Sequence, residues 1–260
     1  MNEIRTREYL SASCVWPELA EPYDTALHQA VDFVLGHVPD VTAIMACGSI
    51  LRGEPSASSD LDIYVLREKS ERQRLQRWFN GVPAEIFVNP PHQVRKYLDG
   101  EQREGRPITA HMLSTGHVVL AIGDALAELC ATAEEILQGR PDPAPQRLTS
   151  ARYMAALTFE DATDIWETRP EAARMILNTA VRAMLHYAYL AANRYIPRDK
   201  DLLIAMEDLD ASLAGLAWRY YSTSSGDEAL EAAHGIAERT VKTFGFFEWE
   251  SVPEVVGPEG

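Results

Sequence analysis

Cysteine is scarce in this chain of 260 residues, and its three copies, Cys14, Cys47 and Cys130, lie far apart. An odd number of widely spaced cysteines indicates neither a disulfide framework nor a zinc site. Long hydrophobic runs are also lacking, since no apolar stretch reaches the roughly 18 residues that a membrane helix needs. The first thirty residues contain four glutamates and no basic region that leads into an apolar one, which argues against a secretory signal. We therefore expect a cytoplasmic protein that does not enter a membrane.

Positive charge is the second deficit. The chain has 24 lysines and arginines against 39 aspartates and glutamates, a formal net charge of −15. Binding to nucleic acid without regard to sequence needs clustered basic side chains that displace counterions, so no nucleic-acid polymer is expected as a partner. An acidic surface favours cationic small substrates through long-range attraction. The alternative is that the negative charge only keeps the protein in solution.

The first half of the chain alternates predicted strands with predicted helices. Apolar residues recur at helical spacing over 23–37, and four stretches have the composition of strands: VTAIMACGS, LDIYVL, PAEIFVN and HVVLAI. Helices are predicted for SERQRLQRWF, HQVRKYL and DALAELCATAEEIL, the last ending near Gly139. This alternation predicts an α/β (α+β) fold class for the first half.

The second half has a different composition. RPDPAPQRLT contains three prolines, lacks periodicity and is predicted to be a linker. Alanine- and leucine-rich segments from about residue 149 to 245 predict an all-α helical bundle, with Pro170 and Pro197 where helices would begin. We therefore expect two domains, residues 1–145 and residues 146–260.

Two carboxylates open the second predicted strand. Asp60 and Asp62 are two residues apart, so on a strand they project from one face, while Leu61, Ile63 and Val65 face the core. Carboxylates this close repel each other unless a cation neutralises them. Mg²⁺ binds through one or two carboxylates together with substrate phosphates, so the pair predicts a Mg²⁺ site.

Gly48 and Ser49, directly after the first predicted strand, complement this pair. Glycine lets the backbone approach a phosphate closely, and the Ser49 hydroxyl, with amides of a helix that starts near Ile50, would bind an anion. On the third predicted strand, Glu85 projects from the face opposite its apolar neighbours. If this strand lies beside that of Asp60, Glu85 reaches the same metal. As general base it would take the proton from a hydroxyl that attacks the α-phosphorus of an NTP.

Gly48, Ser49, Asp60 and Asp62 lie in the segment GSILRGEPSASSDLDIYV, which resembles the signature of the polymerase-beta-like nucleotidyltransferase superfamily. The matching residues are Gly48, Ser49, Arg52, Gly53, Ser59, Asp60 and Asp62, with Glu85 as the expected third acid. The later segment GRPITAHMLSTGHVVLAIGDALAEL is more loosely similar to a bacterial subgroup that contains aminoglycoside- and lincosamide-modifying enzymes. The resemblance implies a small mixed sheet, two Mg²⁺ ions, an NTP donor (ATP is expected), pyrophosphate release and a helical domain that supplies substrate contacts.

The resemblance also assigns roles to residues. It implies catalytic and metal-ligating roles for Asp60, Asp62 and Glu85, and nucleotide contacts from Gly48, Ser49, Arg52, Ser59 and Lys200. Arg52 either holds the loop or touches phosphate. Lys200 is placed where related enzymes often have a lysine that contacts the triphosphate, and the alternative is a solvated charge near a helix start.

The helical half offers three further acids, Glu160, Asp161 and Asp164. Glu160 and Asp164 share a helix face and either contact an acceptor amine or hydroxyl or form a solvated face, which is the favoured alternative. Arg182 and His186 are similar to the Arg-x(4–6)-His signature of a helical RNase family. Because the gap is one residue short and the flanks are apolar, we predict a satisfied core or rim histidine instead. Trp166 and Tyr187 are predicted to belong to the core.

Two classes of function follow. The first is an enzyme that transfers a nucleoside monophosphate to a hydroxyl of a small molecule, with an aminoglycoside-like antibiotic as the first candidate acceptor. Modification of a protein, as in antitoxin-type nucleotidyltransferases, is the second candidate. The competing class is a protein that binds nucleotide or a partner without turnover. A homodimer is possible, and the sequence does not determine the acceptor or the base of the NTP.

Overall fold

The computed structural model describes residues 6–251 and Pro253. These residues form two compact units. The first comprises the described residues up to Glu101 together with Pro107–Gly139, and the second comprises Gln102–Arg106 together with the described residues from Arg140 onward. Within the described ranges, no helix combines the length and the apolar character that crossing a membrane requires.

A five-stranded mixed sheet forms the centre of the first unit. Its strands are β1 (Val41–Cys47), β2 (Leu61–Arg67), β3 (Gln73–Phe79), β4 (Val82–Asn89) and β5 (His117–Ala121). Their order in space is β3-β4-β2-β1-β5, with β2 parallel to β4 and the other neighbours antiparallel. The α/β class with a small mixed sheet is therefore confirmed.

Alternating residues of β2 divide between the two faces of this sheet. Leu61, Ile63 and Val65 are fully buried and belong to one apolar cluster with Leu27 and Val31 of a helix. The residues between them project from the opposite face, because the side chains of a strand alternate. The helices that begin in this unit are α1 (Arg7–Ala12), α2 (Tyr23–His37), α3 (Pro91–Glu104), α4 (Ile108–Thr115) and α5 (Ala125–Gln138).

The segment predicted as the helix SERQRLQRWF contains strand β3, so that prediction is wrong. Leu75 and Phe79 are four residues apart, a spacing that places two side chains on one face of a helix and of a strand alike. The next two residues, Asn80 and Gly81, have φ angles of 46° and 77°, and they connect β3 to β4 as a two-residue hairpin. Such a turn needs positive φ at both positions, which Asn-Gly supplies, and it fixes the preceding segment as a strand.

Five helices build the second unit among the described residues: α6 (Pro145–Asp164), α7 (Pro170–Ala191), α8 (Leu202–Leu209), α9 (Ala211–Ser222) and α10 (Gly226–Arg239). Much of their fully buried surface is alanine, for example Ala155, Ala156, Ala180, Ala232 and Ala233. Small side chains allow close helix–helix approach. Trp166 and Tyr187 pack against this core, as predicted.

The starts of these helices partly match the prediction. Pro170 begins α7 as expected, whereas α8 begins at Leu202 rather than at Pro197. The intervening residues form a turn in which the Asp201 amide donates to the Arg198 carbonyl at 2.8 Å. Helix α6 begins at Pro145, so the second half of the predicted linker is helical.

Candidate metal centre

Three carboxylates meet on one face of the sheet. Asp60 directly precedes β2, Asp62 is the second residue of β2, and Glu85 lies on β4. The parallel pairing of the two strands places Asp62 opposite Glu85, so both side chains project from the same face. One ligand oxygen from each of the three residues lies within 4.8 Å of the others. In the part of the chain that the structure describes, no other group of three or more acids, histidines or cysteines has this geometry.

The electrostatics of the cluster indicate a local excess of negative charge around Asp62. Burial, and then the charges of Asp60 and Glu85, raise the pKa of Asp62 from 3.8 to about 6, although Arg52 and Arg74 oppose this increase. The native fold thus holds Asp62 in a place where its ionised form is unfavourable. A divalent cation bound by the three carboxylates would remove this penalty, and their oxygen-only ligand set fits Mg²⁺.

Gly48 makes the close packing around Asp62 possible. Its φ of +94° lies in a region that side-chain-bearing residues rarely adopt. A Cβ atom at this position would lie 2.7 Å from Asp62 Oδ2. Both conditions restrict the position to glycine, because any other residue would be strained and would displace the Asp62 carboxylate.

The loop between β1 and β2 is organised by serine hydroxyls. Ser49 Oγ lies 2.9 Å from Ser59 Oγ, and Ser59 Oγ accepts a hydrogen bond from the Ser56 amide at 2.8 Å. The expected helix start near Ile50 is wrong, since residues 48–53 form turns. Gly53 has a φ of +75°, and a proline follows at position 55, so the chain cannot continue as a helix here.

Glu85 has two partners that the sequence analysis missed. Arg74 Nη2 donates to Glu85 Oε2 at 2.5 Å, and the Gln76 side-chain amide donates to Glu85 Oε1. Arg74 also lies over the ring of Phe87, 4.9 Å from its centroid. Both partners belong to β3, the segment mistaken for a helix, and the Asn-Gly turn was the signal that places them on a strand beside Glu85. These bonds orient the carboxylate and leave lone pairs on each oxygen for a further ligand.

The structure brings together most of the residues singled out by the motif. Gly48 leaves room for the Asp62 carboxylate, Ser49 and Ser59 are hydrogen-bonded to each other, and exposed Arg52 acts on Asp62 through its charge.

Lys200 lies in the second unit, exposed in the turn before α8, and its nucleotide contact stays a prediction.

Arg182 and His186 form a separate cluster in the second unit. Arg182 Nη2 donates to Asp199 Oδ2 at 2.8 Å, and His186 Nε2 lies 3.1 Å from Asp199 Oδ1. Arg106 Nη2 also donates to Asp199 Oδ2, at 3.3 Å. Burial, and then the Arg182 charge, lower the pKa of His186. His186 is therefore the satisfied rim histidine that the sequence predicts.

Comparison with known proteins supports the fold. No family model matches the chain, and no curated protein matches it. Among solved structures, the chain is similar to a nucleotidyltransferase-like protein from Exiguobacterium sibiricum 255-15, with a TM-score of 0.52. The two sequences are 13% identical, and the match covers 84% of this chain and 73% of the other. At this identity the likeness concerns the fold, and the chemistry depends on the residues of the metal centre.

Proposed function

We propose that this protein is a Mg²⁺-dependent nucleotidyltransferase that moves a nucleoside monophosphate from an NTP, expected to be ATP, to a hydroxyl of a small molecule. The observation that carries the proposal is the convergence of Asp60, Asp62 and Glu85 within 4.8 Å of one another beside the turn of Gly48. The fold, similar to that of a nucleotidyltransferase-like protein, supports it.

Asp60, Asp62 and Glu85 would hold the metal, with two ions expected from the resemblance. Bound Mg²⁺ would neutralise developing negative charge on the phosphates and favour departure of pyrophosphate. The raised pKa of Asp62 supports this assignment, because it marks a carboxylate that needs a cation.

The chain's own residues position the reactants in this proposal. Ser49, Ser59 and Arg52 lie in the loop between β1 and β2, where hydroxyls and turn amides would bind the triphosphate, and Lys200 is proposed as a further phosphate contact. Glu85 would accept the proton of the acceptor hydroxyl as its oxygen attacks the α-phosphorus. A new P–O bond then forms, the bond to the bridging oxygen breaks and pyrophosphate leaves.

We propose a small-molecule acceptor, with an aminoglycoside-like compound first. The net charge of −15 supports a cationic acceptor over an anionic one. In this proposal residues 1–145 carry out the transfer and residues 146–260 supply acceptor contacts. Cytoplasmic location and homodimer formation stay predictions.

Thermal unfolding with Mg²⁺ and each of ATP, GTP, CTP and UTP tests the donor site. A ligand that binds only the native state, at about 100 times its Kd, stabilises by about 2.7 kcal/mol. We expect a Mg²⁺-dependent rise in melting temperature with one NTP, and no rise in the Asp60→Asn variant. An equal rise in the variant, or no rise with any NTP, would contradict the proposed site.

A further inference from the structure

A cleft in the second unit is lined by residues other than those of the candidate metal centre. Helix α6 and the segment that follows α10, residues 245–250, line a cavity of about 790 Å³. This volume is typical of pockets that bind small organic molecules. None of the three acids of the metal centre lines it.

Aromatic rings form part of the wall of this cleft. Tyr153 lies 5.3 Å from Trp249 and 6.4 Å from Phe247, measured between ring centroids. Ring faces carry partial negative charge and attract cations. The guanidinium of Arg152 already lies over Phe247 at 4.3 Å from its centroid, so one ring of this group binds a cation from within the chain.

Three carboxylates complete the lining: Glu160 of α6, and Glu248 and Glu250 of the C-terminal segment. Glu160 is partly buried, and Gly245 passes so close that a Cβ there would lie 2.5 Å from Glu160 Cδ. Among the described residues, no lysine, arginine or histidine forms an ion pair with any of the three. Unpaired negative charge beside aromatic faces favours a positively charged ligand.

The arrangement of these acids distinguishes between kinds of cation. Glu160, Glu248 and Glu250 do not form a group whose oxygens all lie within 4.8 Å of one another, as the acids of the metal centre do. A single Mg²⁺ needs oxygen ligands around one point at about 2.1 Å. Carboxylates that do not converge on one point, together with aromatic rings in the same lining, fit a larger molecule that carries several amino groups on a carbon framework.

We propose that this cleft binds an organic polyamine, with its ammonium groups on Glu160, Glu248 and Glu250 and its carbon framework against Tyr153 and Trp249. The sequence analysis considered three acids in the helical half, and of these Glu160 lines the cleft. Asp161 and Asp164 are exposed elsewhere on α6. The binding needs neither nucleotide nor metal, so it does not depend on the proposed nucleotidyl transfer.

Isothermal titration calorimetry of the full chain, without Mg²⁺ and NTP, tests this site. The probes are spermidine, cis-1,3-diaminocyclohexane and its uncharged counterpart cis-1,3-cyclohexanediol. We expect both amines to bind at one site and the diol to bind at least about tenfold more weakly, since it lacks the charge. No binding of either amine at about 10 mM, or equal binding of diol and diamine, would overturn the proposal.

Variants locate the bound amine. Glu160→Gln and Glu248→Gln should each weaken diamine binding by about three- to tenfold. Glu238→Gln, an exposed glutamate of α10 outside the cleft, removes the same charge and should change affinity less than about twofold. Asp60→Asn should also leave affinity unchanged, because Asp60 does not line the cleft. Equal losses of diamine affinity in Glu160→Gln and Glu238→Gln, or loss of binding in Asp60→Asn alone, would place the amine elsewhere. Either result would refute binding in the cleft.

Discussion

Replacing Asp62 by asparagine should stabilise the metal-free protein and at the same time remove its response to Mg²⁺ and NTP. The native fold raises the pKa of Asp62 to about 6 through burial and through its neighbours Asp60 and Glu85. Ionised Asp62 therefore costs the native state free energy at neutral pH. Asparagine has nearly the same shape and carries no charge, so Asp62→Asn removes this cost together with one metal ligand.

The magnitude follows from the pKa difference. An increase from 3.8 to about 6 corresponds to an upper limit of about 3 kcal/mol, at 1.36 kcal/mol for each unit. Solvent screening at this partly exposed carboxyl reduces the expected gain in unfolding free energy to about 1–2 kcal/mol. Because the native state of the wild type binds more protons between pH 3.8 and about 6, its relative stability falls as the pH rises through that window. The advantage of Asp62→Asn should be largest above pH 6 and vanish below pH 4.

Urea unfolding at a series of pH values, with chelator present, measures this effect. Asp142→Asn, at an exposed position, is the matched control and should give no stability difference across the range. Addition of Mg²⁺ and the preferred NTP should reverse the order, so that the wild type becomes more stable than Asp62→Asn. If Asp62→Asn destabilises the metal-free protein at pH 7, the carboxylate has a structural role and the reasoning fails.

Further substitutions probe the surroundings of the cluster. Arg74→Gln removes a cation held 2.5 Å from Glu85 and should tighten Mg²⁺ binding by up to about fivefold in calorimetry. Arg77→Gln, on the other face of β3, is the control. Weaker Mg²⁺ binding in Arg74→Gln would refute the reasoning. Gly48→Ala combines a φ of +94° with a contact at 2.7 Å and should lower the unfolding free energy by about 2 kcal/mol or more. Gly53→Ala has a φ of +75° in open space and should lose only about 1 kcal/mol, so equal losses would show that the contact with Asp62 does not matter. Glu85→Gln should slow turnover by about 100-fold or more, and an unchanged rate would exclude Glu85 as base.

Strand periodicity made the faces of the sheet predictable. In LDIYVL and PAEIFVN, Asp62 and Glu85 each stand between two buried apolar residues, and the period of two places each acid on the face opposite those neighbours. That the two strands are neighbours could only be stated as a condition, because pairing between strands depends on the whole connection between them. In the structure this connection is the hairpin of β3 and β4, which brings β4 back parallel to β2.

The error at β3 has a physical cause. Edge strands have one partner, and Gln73, Arg74 and Gln76 are exposed, so the segment lacks the apolar alternation of a buried strand. Its polar composition resembles that of a surface helix. The partners of Glu85 were hidden by this error, because only a strand places Arg74 and Gln76 beside it.

The cleft of the second unit was beyond sequence reasoning for a different reason. Tyr153 and Glu160 are more than eighty residues away from Trp249 along the chain, so no local sequence pattern predicts that they line the same cleft. Glu160 was singled out for its helix face alone. Contacts of this kind arise from the packing of whole helices.

Release of pyrophosphate tests the central claim most directly. The measurement uses the NTP that stabilises the protein, Mg²⁺ and a panel of hydroxyl-bearing acceptors that includes aminoglycosides, with Asp60→Asn and Asp62→Asn in parallel. The account predicts release that requires Mg²⁺ and an acceptor and is lost in both variants, because a neutral amide cannot replace a carboxylate as metal ligand. Release that persists in both variants, or its absence with every NTP and acceptor, would contradict the account.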